Sequence, residues 1–120
     1  MVNKFGHISV KYGKIVDMAD LNKILEAINE VLNPTKIILF GSMARGDNKK
    51  DSDIDLAVIQ KEKPQIGQRG EISQKLIEKK YSWEATPDIH IFSEDNFNER
   101  LKNNSFFIRE IMKGKVLYAQ

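Results

Sequence analysis

The sequence predicts a small α/β domain, one sheet with helices packed on it. Three observations carry this. A helix-spaced apolar series runs from Leu21 to Leu32. Two short β-branched runs, "TKIILF" and "DIDLAVI", follow with only a turn and a polar loop between them. A second amphipathic stretch then separates these from a third such run, "DIHIF". The resulting order of helix, strand, strand, helix, strand, helix suits a sheet covered by helices better than an all-helical or all-strand chain.

Each element has its own local reason. Leu21, Ile24, Leu25, Ile28, Val31 and Leu32 form one apolar face, Asp17 is a suitable N-cap, and Asn33-Pro34 stops the helix. Thr35 to Phe40 reads as a buried strand. "GSMARG" is a tight turn entering about one helical turn, and "DNKKDS" is a polar loop. Asp53 to Ile59 is the second strand, and "KEKPQIGQRG" reads as loop. Ile72, Leu76 and Ile77 mark a second helix ending near Tyr81. "SWEATP" connects it to a third strand, Asp88 to Phe92. "SEDNFNERLKNNSFFIREIMKG" is one or two helical pieces broken near Asn103 and Asn104. Gly114 is a natural C-cap, and "KVLYA" a last short strand. The first sixteen residues are weakly patterned, with "HISVKYG" a candidate edge strand.

Composition narrows the function classes. The chain has 120 residues, which suits a single domain spanning 1–120. A net charge of +2 makes no demand for nucleic acid or an anionic membrane. With no cysteine, disulfides, thiolate metal sites and a cysteine nucleophile are excluded. No apolar run reaches membrane-spanning length and no signal-peptide core opens the chain, so the expected setting is the cytoplasm.

The chemistry concentrates between Leu39 and Ile59. Alternation puts Asp53 and Asp55 on one face of their strand, roughly 7 Å apart, with Ile54, Leu56 and Val58 on the other. Two carboxylates there resist desolvation unless a cation neutralises them, and Mg²⁺ takes carboxylates together with substrate phosphates. A bare D-x-D also fits a water-exposed strand edge, capped by Lys49 or Lys50. The turn before it weighs against that. Gly41 follows a buried strand where backbone turns sharply or approaches a ligand, and Ser42 can cap a short helix whose first amides attract phosphate. A nucleoside triphosphate with Mg²⁺ satisfies both halves. Asp88 opens the next strand; it is either an ordinary acid after Pro87 or a third carboxylate able to take a proton. His90 shares the Asp88 face, as a site contact or as a satisfied strand histidine. Asp47 sits in the polar loop with no assignable role.

"GSMARGDNKKDSDID" resembles the G-S, ten residues, D-x-D signature of the polymerase-beta-like nucleotidyltransferase superfamily. Its "GSxARG" form is similar to that of the minimal nucleotidyltransferases, the MNT antitoxin partners of HEPN toxins. "PDIHIF" resembles the strand with the third carboxylate, and "SFFIREIMKGKVLYA" the usual ending. The likeness runs from about Leu21 to the C-terminus.

This resemblance implies an α/β (α+β) palm with a small mixed sheet. It implies that Gly41 and Ser42 hold a triphosphate, and that Asp53, Asp55 and Asp88 bind two Mg²⁺ ions, Asp88 also helping to activate an acceptor hydroxyl. Arg45 either neutralises phosphate or pairs with the loop. The implied reaction is transfer of AMP from ATP, with a tyrosine of a HEPN toxin as acceptor. Two alternatives stay open: an antitoxin acting by binding alone, and a transferase for a small hydroxylated molecule. With no basic stripe interleaved with aromatics, templated work on nucleic acid is not expected. Self-association is left open. Trp83, Phe106 and Phe107 are either a partner surface or core.

Overall fold

A computed structural model describes residues 17–48 and 52–120. The candidate strand "HISVKYG" and the lysines Lys49 and Lys50 lie outside the described residues. The elements are α1 (Met18–Val31), β1 (Pro34–Phe40), α2 (Gly41–Arg45), β2 (Ile54–Gln60), α3 (Gln68–Glu78), β3 (Pro87–Ser93), α4 (Glu94–Lys102), α5 (Phe106–Met112) and β4 (Lys115–Ala119). The strands form a mixed sheet in the order β3-β2-β1-β4; β1 is antiparallel to β2 and β4, and β2 is parallel to β3. This is the expected α/β architecture.

Side-chain alternation gives the sheet two buried faces. On one, Ile37 and Leu39 of β1 and Ile54, Leu56 and Val58 of β2 join Leu21, Ile24, Leu25 and Ile28 of α1 and Ile72 and Leu76 of α3. On the other, Ile38, Phe40, Ala57, Ile59 and Phe92 pack against Phe97 of α4 and Ile108 and Ile111 of α5. The face that carries the carboxylates is therefore itself core further along the strands. Burial on both faces explains why β1 and β2 read as nearly continuous apolar runs.

The helix signals mostly hold. Asp17 caps α1 by accepting from the Ala19 amide at 2.8 Å. Ser93 and Ser105 cap α4 and α5 in the same way, and Asn104, at φ 60°, makes the break between them. Three expectations need correction. α3 begins at Gln68, inside the stretch read as loop. It ends at Glu78, and Lys80 at φ 58° turns the chain so that Tyr81 enters the core from the connection. Ile77 is 57% exposed, because only Ile72 and Leu76 face the sheet.

Gly114 has a different purpose from the expected C-cap. Lys113 is the C-cap, and a Cβ on Gly114 would overlap the Leu39 carbonyl oxygen of β1. The residue must be glycine so that β4 can reach the sheet. Gly114→Ala is expected to destabilise the fold by about 2 kcal/mol, since backbone in a packed strand cannot yield as a side chain can. Urea unfolding measures this; an unchanged midpoint would mean that β4 docks more loosely than this.

Candidate active site

The site forms where the α4–α5 cover stops, at the open end of β1, β2 and β3. In the parallel β2–β3 pair Asp55 is the register partner of Asp88, and Ala57 of His90. In the antiparallel β1–β2 pair Asp55 stands opposite Phe40, the residue before Gly41. Strand pairing thus brings together three segments that are distant in sequence. Donor atoms of Asp55, Asp88 and His90 all lie within 4.8 Å of one another. His90 Nε2 is 3.3 Å from Asp88 Oδ2.

β2 begins at Ile54, so Asp53 precedes the strand rather than lying in it, and is exposed. It stays outside the close trio, though near enough for its charge to act on Asp55. The Asp55 carboxyl is pushed above the ordinary carboxylate range. Partial burial is the main cause, followed by the negative charge of Asp88; His90 opposes the shift and Asp53 adds to it. Unneutralised acids held this close are what a divalent cation satisfies.

Gly41 meets this trio from behind. Its φ is +75°, and a Cβ there would overlap Asp55 Oδ2. The glycine is needed both for the turn and for the space beside the carboxylate. α2 starts at Gly41 itself, with Phe40 as N-cap and no side-chain cap bond, so Ser42 is the second helical residue and not the cap. The Ser42 carbonyl instead accepts from Gly46 and Asp47, closing the turn. The donor set, two carboxylates and an imidazole with a third acid nearby, fits a divalent cation, and the Gly41 turn lies directly against one of those carboxylates.

Arg45 and Asp47 form an ion pair at 3.1 Å, so Asp47 does have a partner. Both side chains are about half exposed, and such a pair contributes little, about 0–1 kcal/mol. Arg45→Ala should leave the melting temperature nearly unchanged. If Arg45 leaves Asp47 for a bound triphosphate, the same variant should raise the KM for nucleotide about tenfold, the weight of one charge-assisted contact. Steady-state kinetics beside a thermal melt separates the two roles.

His90 is the residue that sequence reasoning weighted too lightly. Its ring sits between Phe40 and Phe107, with centroids 5.5 and 5.3 Å away. Phe107 is thereby partly buried in the second core, whereas Phe106 and Trp83 are exposed. The signal available in the sequence was the alternation shared with Asp88. Beside His90 a cavity of 470 Å³ opens between the Pro64–Gly67 loop, Arg69 of α3 and the outer side of β3. No helix among the described residues is long and apolar enough to cross a membrane.

The chain belongs to the polymerase beta nucleotidyltransferase family, described as "Polymerase beta, Nucleotidyltransferase", whose family model matches residues 22–120. Among solved structures it is similar in fold to chains of toxin–antitoxin structures. A toxin–antitoxin structure with AMP-PNP aligns at TM-score 0.58 and 25% identity, over 82% of this chain and 73% of that one. A mutant of the toxin–antitoxin MntA-HpeT aligns at 0.56 and 24%, over 82% and 73%. The tri-AMPylated Shewanella oneidensis HEPN toxin in complex with MNT antitoxin aligns at 0.52 and 23%, over 86% and 74%. The last two likenesses are of fold. The comparison with curated proteins finds no match.

Proposed function

We propose that this chain is an Mg²⁺-dependent adenylyltransferase that moves AMP from ATP to a hydroxyl of a partner protein, a tyrosine of a HEPN toxin, and so serves as a cytoplasmic antitoxin. The observation that carries this is the Asp55–Asp88 register pair with Gly41 packed against it. Family membership and the AMP-PNP and tri-AMPylated neighbours support the reading.

In this reading Asp53, Asp55 and Asp88 hold two Mg²⁺ ions, while Gly41 and Ser42 line the triphosphate. The metals supply charge neutralisation at the triphosphate and the leaving pyrophosphate. The acceptor oxygen attacks the α-phosphorus in line, its bond to phosphorus forms as the bond to the bridging oxygen breaks, and pyrophosphate leaves. Asp88 takes the proton from the acceptor hydroxyl.

The test is incubation with Mg²⁺ and α-phosphate-labelled ATP, with and without a HEPN protein encoded next to this chain. Label on the partner, lost when its tyrosines are replaced by Phe, is the expected result. Neutralisation of the partner without any label would instead favour an antitoxin that acts by binding alone.

A further inference from the structure

The two parts of the acidic corner have different donor chemistry. Asp53, exposed ahead of β2, can contribute only carboxylate oxygen. The close trio of Asp55, Asp88 and His90 contains an imidazole nitrogen. We infer that His90, with Asp55 and Asp88, makes this part of the centre a mixed oxygen–nitrogen site that binds a first-row transition cation such as Mn²⁺ in preference to Mg²⁺. The inference rests on the metal-dependent reading above and concerns which ion that reading uses.

Geometry favours ligation over a simple ion pair. Around an octahedral ion with bonds near 2.1 Å, neighbouring donors lie about 3 Å apart and opposite donors about 4.2 Å. The His90–Asp88 separation of 3.3 Å falls within that range, and the 4.8 Å limit of the trio needs only a small contraction. The ring is also held in place. Phe40 and Phe107 pack around it, and its register partner on β2 is Ala57, too small to compete for the space. A histidine that needed only a carboxylate partner has one in Asp88. That pair still leaves Asp55 facing the charge of Asp88.

The choice of ion follows from ligand preference. Mg²⁺ demands near-ideal oxygen coordination and dehydrates reluctantly. Imidazole is a ligand for first-row transition ions, and their affinities for mixed nitrogen and oxygen sites rise from Mn²⁺ upward. Asp55 would be common to this site and to an all-oxygen set with Asp53, so the two ion positions would differ in selectivity.

The test is Mn²⁺ binding to the nucleotide-free full chain, followed by the electron paramagnetic resonance signal of free Mn²⁺ with Mg²⁺ as competitor. The expected result is Mn²⁺ affinity at least about tenfold above that of Mg²⁺. Electron spin-echo modulation from a coordinated imidazole nitrogen should accompany it. His90→Phe keeps an aromatic ring between Phe40 and Phe107 but has no donor. It should lose the modulation and the preference while retaining Mg²⁺ binding, and His90→Asn should do the same if Phe disturbs the packing. Absence of nitrogen modulation in the parent, or an undiminished preference in a folded His90 variant, overturns the inference. Labelled transfer measured in Mg²⁺ alone keeps the two ideas apart: transfer without Mn²⁺ preference removes this inference only. Mn²⁺ ligation by His90 without transfer removes the proposed activity only.

Discussion

Asp55→Asn should abolish nucleotide transfer, by a thousandfold or more, while leaving the metal-free fold at least as stable as the parent. The activity loss follows from position. Among the described residues Asp55 links the parts of the corner: it stands in register with Asp88, backs on to Gly41 and feels the charge of Asp53. In the proposed reading Asp55 holds metal, and losing that carboxylate removes several kcal/mol of transition-state stabilisation, hence a drop of about 10³-fold or greater. The stability effect has the opposite sign. Partial burial and the charge of Asp88 raise the Asp55 carboxyl above its unfolded value of 3.8. The folded chain therefore holds this proton more tightly than the unfolded chain does. The associated stability is fully present below the unfolded value and is lost as pH rises through the raised folded one. At neutral pH the ionised group is a net cost, and the isosteric amide removes it. Thermal melts across pH should show the metal-free parent losing stability over that window and the Asn variant losing less. Added divalent cation should raise the melting temperature of the parent and not of the variant. A variant that melted well below the parent without metal would mean that Asp55 holds the strand ends together as an ion-pair partner.

This opposition between stability and chemistry explains what was legible beforehand. The two apolar strands, the first helix and the cap residues could be read because each is a local pattern: Leu21 to Leu32 repeats at helical spacing, and Asp17 precedes it. The D-x-D was readable because two acids at the start of an apolar strand contradict the burial around them. What could not be read depends on strand pairing. Nothing within "PDIHIF" says that Asp88 will stand opposite Asp55 rather than one residue away, a slip that would turn it to the other face. His90 was undervalued for the same reason, since its neighbours Phe40 and Phe107 come from β1 and α5. The start of α3 was missed because Gln68, Arg69 and Gly70 bring no apolar side chain to the core and leave no apolar period to detect. Gly114 was assigned to the wrong purpose because a close approach to Leu39 cannot be seen in one segment.

Gly41→Ala is the second substitution with a large expected effect, and it tests whether turn and carboxylate form one unit. Two costs combine there. A φ of +75° is strained for any residue with a Cβ, at roughly 1–2 kcal/mol. The added methyl would also overlap Asp55 Oδ2, so the carboxylate must move. Displacing a reacting or metal-holding group by about 1 Å costs about 100-fold in rate, so transfer should fall by about that factor in molecules that remain folded. The two costs separate in a double-mutant cycle with Asp55→Ala, which removes the oxygen that the new methyl would strike. If the overlap matters, Gly41→Ala should be less destabilising in the Asp55→Ala background than in the parent, the residue being the cost of the positive φ alone. Equal destabilisation in both backgrounds would show that Gly41 serves only the turn. In that event the space beside Asp55 would have no part in how the nucleotide is held. A clear coupling would show that the glycine ending β1 and the carboxylate on β2 are constrained together, as a phosphate turn set against a metal-holding acid requires.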